Sequence, residues 1–282
     1  MTYEEKITPY LIEADSIIKS LINAMSPLYS PEFPAGQEVT VPLFTALHSY
    51  SESVLILLQH RGIFEADIIL RAIMEGSVKY CFLMRGADEE RAKKLIEYQR
   101  ALLSFEKVSD HKKAKEAIEI LNHFTSNSTK PFEAMLLDET LVSQIEDSYS
   151  RREKAELESK WKYQALLRSL AQDSKEYEAQ LGSLATYAQT SHFIHLDWSG
   201  VQQIQSSIVC GEESYKYGYG HALRIISNVL SIYAFRVLEY MQCNKSFPPP
   251  IVSLCNSLIH LDTRINSELN QLIESEVTKV DL

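Results

Sequence analysis

The chain has 282 residues, with 28 Lys+Arg against 38 Asp+Glu and a net charge of −10. That acidic balance argues against a broad nucleic-acid surface, which needs clustered basic residues to displace counterions from phosphates. Hydrophobic residues make up 45% of the chain and charged residues 23%, which excludes intrinsic disorder and fibrous repeats. With only 9 Gly and 9 Pro, it is too poor in turn residues for a protein of many hairpins. The expected class is all-α: a multi-helix bundle.

The first helix is expected from Glu4 to Ala24, with Leu11, Ile17, Ile18, Leu21 and Ile22 on one side. Pro27, Pro31, Pro34 and Gly36 then mark a loop. A second helix is expected to start near Pro42, a favourable first-turn residue. Its stripe Phe44, Leu47, Ser51, Val54, Leu58 steps 3, 4, 3, 4, the spacing of a buried helix face. Arg61-Gly62 ends it, and a third helix runs from Phe64 to Met84, closed by Arg85-Gly86 with glycine as the left-handed cap.

Beyond Gly86 the composition changes. Between Asp88 and Lys160, 29 of 73 residues are charged. Desolvating so much charge is costly, so this stretch reads as a less buried helical arm with a break near Ser126 to Pro131. The expected division is a helical core from 1–87 and 161–282, with a charged arm at 88–160 that contacts a protein partner or a second copy. From Trp161 the composition is core-like again, and Leu181, Leu184, Ala188, Ser191 and His195 repeat the 3, 4 spacing. A loop holding Gly200, Cys210 and Gly211 is expected next. Then comes a long apolar helix from Tyr215 to Met241, and a final helix from Ile251 after three prolines. The stretch His221 to Met241 reads as the most apolar, yet Arg224, Arg236 and Glu239 count against a membrane span. The acidic N-terminus is unlike a signal peptide. The four Cys lack zinc or redox spacing and suit a reducing compartment, so the expected localisation is cytoplasmic.

No Walker A segment, G-x-S-x-G elbow, His-Glu-x-x-His or Glu-x-x-His pair occurs, and Gly218-Tyr219-Gly220 lacks the strand and third glycine of a dinucleotide site. No cofactor is expected. What remains is a polar constellation. Asp67, Arg71, Glu75 and Lys79 follow at i+4 steps on a helix apolar on both sides, so Arg71 and Glu75 should be inside and in need of partners. Tyr187, Ser191 and His195, with His192 adjacent, form a matching polar stripe. Such a site could hold a phosphate or carboxylate through Arg71, whose planar fork suits both. It could instead be catalytic, with His195 as general acid/base and Arg71 beside Glu75 stabilising developing charge. It could also be a core network without chemistry. His192 and His195, at i, i+3, could both touch one metal, but with only Asp197 nearby no metal is expected.

The run Phe64-Glu65-Ala66, Arg71-Ala72-Ile73-Met74-Glu75, with Ser191 to His195 downstream and Tyr187 before them, resembles a bacterial helical family catalogued as a domain of unknown function (number 5677). The resemblance covers Val41 to Trp198 and the long helix that follows. It implies distant similarity to HEPN-like helical proteins of bacterial defence loci. In that setting the chain would be an interaction or ligand-sensing protein, an RNA-cleaving or phosphate-handling effector, or a structural subunit. No Arg here has a His five to seven residues downstream, as HEPN ribonucleases do, and the charge does not favour RNA.

Overall fold

The computed structural model describes residues 2–28, 37–124, 129–209 and 211–280. Among these the chain is all-α and has no strand. In chain order the helices are α1 (Tyr3–Met25), α2 (Gln37–Gln59), α3 (Ile63–Met84), α4 (Asp88–Ile96), α5 (Leu103–Phe124), α6 (Lys130–Glu133), α7 (Glu139–Asp147), α8 (Arg151–Lys160), α9 (Tyr163–Asp173), α10 (Lys175–Glu178), α11 (Ser183–His195), α12 (Trp198–Val209), α13 (Gly211–Asn244) and α14 (Pro249–Val280). A π-helical segment, Glu97–Leu102, joins α4 to α5. The chain divides into two compact units, 1–85 with 167–282, and 86–166.

In the first unit α3 packs against α2, α11 and α13, while α1 packs against α2, α13 and α14. The α2 stripe is buried at every step: Phe44, Leu47, Ser51, Val54 and Leu58. The hydroxyl of Ser51 accepts from Nη2 of the fully buried Arg236 on α13, at 3.3 Å. That guanidinium also lies over the rings of Phe44 and Tyr233. α3 is buried on both sides, with Ile73 and Tyr80 on one and Val78 and Phe82 on the other.

Several boundaries differ from the sequence reading. α2 begins at Gln37, so Pro42 lies inside it rather than in its first turn. The missing N–H removes one helical bond, a loss that the buried stripe tolerates. Among the described residues, Glu38–Gln59 in α2, rather than 221–241, is long and apolar enough to cross a membrane by length and composition, with a mean hydropathy of 1.3. Gly200 is not in a loop; it lies in α12. The loop residues Pro31, Pro34 and Gly36, and Cys210, fall outside the described residues, as do residues 126–128 of the expected break; α6 begins at Lys130 within it. Among the described cysteines, Cys81 and Cys255 are buried, and neither they nor Cys243 form a disulfide.

At the end of α2, Arg61 rather than Gly62 takes the left-handed conformation, with φ of 62°. Two cap bonds hold it there: the Gly62 N–H donates to the Leu57 carbonyl at 2.8 Å and the Arg61 N–H to Leu58 at 3.2 Å. The Arg61 side chain is also held by a forked pair with Glu4 at the start of α1. These contacts offset the roughly 1–2 kcal/mol that this conformation costs a non-glycine residue. At the end of α3 it is Gly86 that is left-handed, with φ of 100°.

In the second unit α5 packs against α6 and α7. Its buried residues between Asp88 and Lys160 are few: Lys94, Ala101, Phe105, Val108, His111, Ala114 and Val142. α3 alone buries twelve. The Trp161 ring stacks on Tyr98, and its indole N–H donates to Glu97.

Candidate functional site

The polar i+4 ladder of α3 does not face one environment. Four residues turn an α-helix by about 40° beyond a full circle, so each rung rotates relative to the last. Asp67 is completely enclosed. One turn on, the Arg71 side chain keeps 18% of its exposure and that of Glu75 keeps 35%. Lys79 is half-buried. The expectation that Arg71 and Glu75 lie fully inside is corrected: they sit at the rim of the core.

Arg71 meets Tyr187 of α11 in two ways. Its Nη2 donates to the phenolic oxygen at 2.9 Å, and its guanidinium carbon lies 4.1 Å from the ring centroid, within cation–π range. Tyr187 in turn donates to Glu75 Oε1 at 2.6 Å. The same carboxylate oxygen accepts from Arg71 Nε at 3.3 Å. The three side chains form a closed ring in which the Tyr187 hydroxyl both accepts and donates. Burial, then the bond to Glu75, pushes the Tyr187 phenol above its ordinary pKa, so it remains protonated and a donor. One group is left over: Arg71 Nη1 is buried and has no hydrogen-bond acceptor.

A second cluster lies one turn earlier on α3. Asp67 accepts from Arg224 Nη2 at both carboxylate oxygens, at 3.0 Å each. His221 Nε2 lies 3.0 Å from Asp67 Oδ2. His221 and Arg224 are one turn apart on α13, and Arg224 Nη1 is likewise buried without an acceptor. Beside them, Phe64 of α3 meets Phe193 of α11 and His221 of α13 edge-on, at 5.1 and 6.1 Å between ring centroids. This aromatic corner holds α3, α11 and α13 together.

Of the sequence candidates, Arg71, Glu75 and Tyr187 come together and Ser191, His192 and His195 do not join them. The buried residues of α11 are Thr190 and Phe193, not the stripe Leu181, Leu184, Ala188, Ser191, His195, in which Ala188 and His195 are exposed. The cause is geometric. A ladder of i, i+4, i+8 drifts by about 80°, and the large apolar surface of Phe193 decides which side turns inward. His195 is exposed in the last turn, just before Leu196 turns left-handed. His192 Nδ1 pairs instead with Asp197, at 2.5 Å. Asp197 also accepts from the Gly200 N–H at 3.1 Å, capping α12. These two bonds hold its carboxyl below the usual range. A Cβ on Gly200 would sit 2.3 Å from the His192 carbonyl oxygen, so glycine is required for the tight turn from α11 into α12. Among the described residues no three His, Cys, Asp or Glu side chains converge to hold a metal ion.

The sequence reading missed His221 and Arg224, although charged and polar residues inside the apolar α13 carried the same signal that singled out Arg71. It also missed a third cluster. Glu239 of α13 accepts from Arg85 Nε at 2.8 Å and from the Tyr177 hydroxyl at 2.7 Å, and burial pushes the Tyr177 phenol far up. This cluster joins the end of α3 to α10.

Comparison with curated proteins and with solved structures found no match. A family match spans residues 37–211, from α2 to the first residue of α13. It takes in Arg71, Glu75 and Tyr187 but leaves out His221, Arg224 and the rest of the long helix that the resemblance had included. The chain belongs to this family, the family of unknown function DUF5677.

Proposed function

We propose that the chain is a ligand-sensing interaction protein whose α3–α11 site takes a small molecule through a phosphate or carboxylate group on Arg71. One observation carries this reading: Arg71 Nη1 is a buried cationic donor without an acceptor. An unmet buried donor costs about 1–3 kcal/mol, and an incoming oxyanion that meets it recovers that free energy. Glu75, the more exposed partner, is the side chain an entering acidic group would displace. Tyr187 supplies a flat wall and a hydroxyl that can donate to the ligand instead of to Glu75.

The enzymatic alternative, an HEPN-like RNA-cleaving or phosphate-handling effector, has less support. Its intended acid/base, His195, is exposed in the last turn of α11 and makes no bond to Arg71 or Glu75. The charged 86–166 unit, with its many exposed side chains, suits a protein partner or a second copy. A bacterial cytoplasmic setting, in the company of defence proteins, is the context that fits this reading.

The test is isothermal titration of the intact chain with inorganic phosphate and with acetate, repeated on Arg71→Lys. Lysine keeps the charge and loses the fork. Saturable binding that weakens about tenfold, about 1.4 kcal/mol, in Arg71→Lys is expected. Affinity equal in both proteins would overturn the proposal, as would no binding by the wild type.

A further inference from the structure

Arg71 has a counterpart. Arg224 also leans on a carboxylate of α3, also keeps part of its side chain in solvent (25% against 18%), and also has a buried Nη1 with no acceptor. Its position is fixed by two 3.0 Å bonds from one nitrogen to both oxygens of Asp67. Asp67 and Arg71 are one turn apart on α3, a rise of about 6 Å. Arg71 is borne by α3 and Arg224 by α13, but Arg224 is held on Asp67, so both guanidinium groups are anchored at successive turns of α3.

We infer that the ligand of this site carries two linked acidic groups, one on Arg71 and one on Arg224; this rests on the Arg71 reading above. A single phosphate or carboxylate can meet one of the two unmet donors. A diphosphate or a short dicarboxylate spans one helical turn and meets both. The local charge permits it. Asp67 is enclosed and already matched by Arg224 and His221, so it presents no open face to an incoming anion. Glu75, at the rim, is bound to Tyr187 and Arg71. The half-buried Lys79, one further turn along α3, adds positive charge. The Phe64, Phe193 and His221 corner gives the site rigid walls, which favours a preorganised fit over one that must order loops on binding.

The intact chain is titrated with pyrophosphate against phosphate, and with succinate against acetate. At least one two-headed anion should bind ten times more tightly, or better, than its single-headed counterpart. The paired variant Asp67→Asn with Arg224→Gln removes both charges together, so neither is stranded. It should lose that preference while still binding the single-headed anion. Arg224→Lys, which keeps the ion pair and so the fold, should lose most of the preference too. Circular dichroism melting checks that each variant is folded. Equal affinity of the wild type for one-headed and two-headed anions overturns this inference and leaves the Arg71 reading standing. A preference that survives in Arg224→Lys and in the paired variant also overturns it. Absence of binding by all four anions removes both readings together.

Discussion

The two compact units use ion pairs in opposite ways. The 86–166 unit is dense in charge, and its pairs are mostly open to solvent: Arg152 with Glu156, Lys112 with Glu146 and Lys113 with Asp110 keep between 40% and 88% of their side-chain exposure. Lys94, with its stem buried against the unit, is an exception. The 1–85 and 167–282 unit is less dense in charge, yet encloses several of its charges. Asp67 is fully buried, Glu239 keeps 5% and Arg236 is the largest fully buried side chain. The density of charge along a sequence therefore says little about where charge matters energetically. In the charge-poor unit the enclosed acids, Asp67 and Glu239, are out of water and depend on their partners. In the charge-rich unit water can replace a lost partner.

The largest effect should follow from removing a buried acid of the charge-poor unit. Glu239→Ala leaves Arg85 without its forked partner and the Tyr177 hydroxyl without its acceptor. Breaking a buried pair from one side costs about 3–5 kcal/mol, and this loss should be measurable by chemical denaturation. Glu239→Gln keeps the shape and an acceptor oxygen and should cost clearly less. If Glu239→Ala cost under about 1 kcal/mol, burial would not be what distinguishes the two units.

How much of this was legible in the sequence depends on the residue. The α2 stripe was readable because five apolar or small residues in a row fit one face and every one is buried. α3 was readable as a buried helix because apolar residues occupy both of its sides. α11 was misread because it is short and weakly patterned, so that Phe193 alone outweighed a regular but mostly small and polar stripe. That Arg71 and Glu75 need a partner followed from burial, and Tyr187 was among the residues singled out. The partners of Asp67 were not legible. His221 and Arg224 lie 154 and 157 positions away, and which turn of α13 meets which turn of α3 is set by the packing of the whole bundle. No local spacing records it.

A middling effect tests whether burial of an acid can be unfavourable where its partners are neutral. Asp262 of α14 accepts from the Ser227 hydroxyl at 2.6 Å and from the Asn266 side chain at 3.0 Å. Burial outweighs both bonds and raises its carboxyl above the ordinary value. The sign follows from linkage. With a folded pKa above the unfolded one, near 3.9, the acid imposes no penalty while protonated. The penalty grows as pH rises through the unfolded and then the folded value. Asp262→Asn should therefore raise the melting temperature at pH 7, and the gain should shrink toward zero as pH falls below about 4. A loss of stability at pH 7 would mean that the charged form is favoured after all.

The smallest effect belongs to the exposed unit. Arg152 donates to Glu156 at 2.7 Å, with side-chain exposures of 88% and 62%. An exposed i, i+4 pair contributes about 0.3–0.5 kcal/mol, and here the order is the weaker one, with the base N-terminal to the acid. Arg152 is also the second residue of α8, where the positive end of the helix dipole disfavours a cation. Alanine has the higher helix propensity. These terms oppose one another, so Arg152→Ala should shift the melting temperature by no more than about 1–2 °C in either direction. Added salt screens what remains of the pair, so wild type and variant should converge further at 1 M NaCl. A drop several times larger would mean that this pair, despite its exposure, is held as tightly as those around Asp67 and Glu239, and the contrast between the two units would fail.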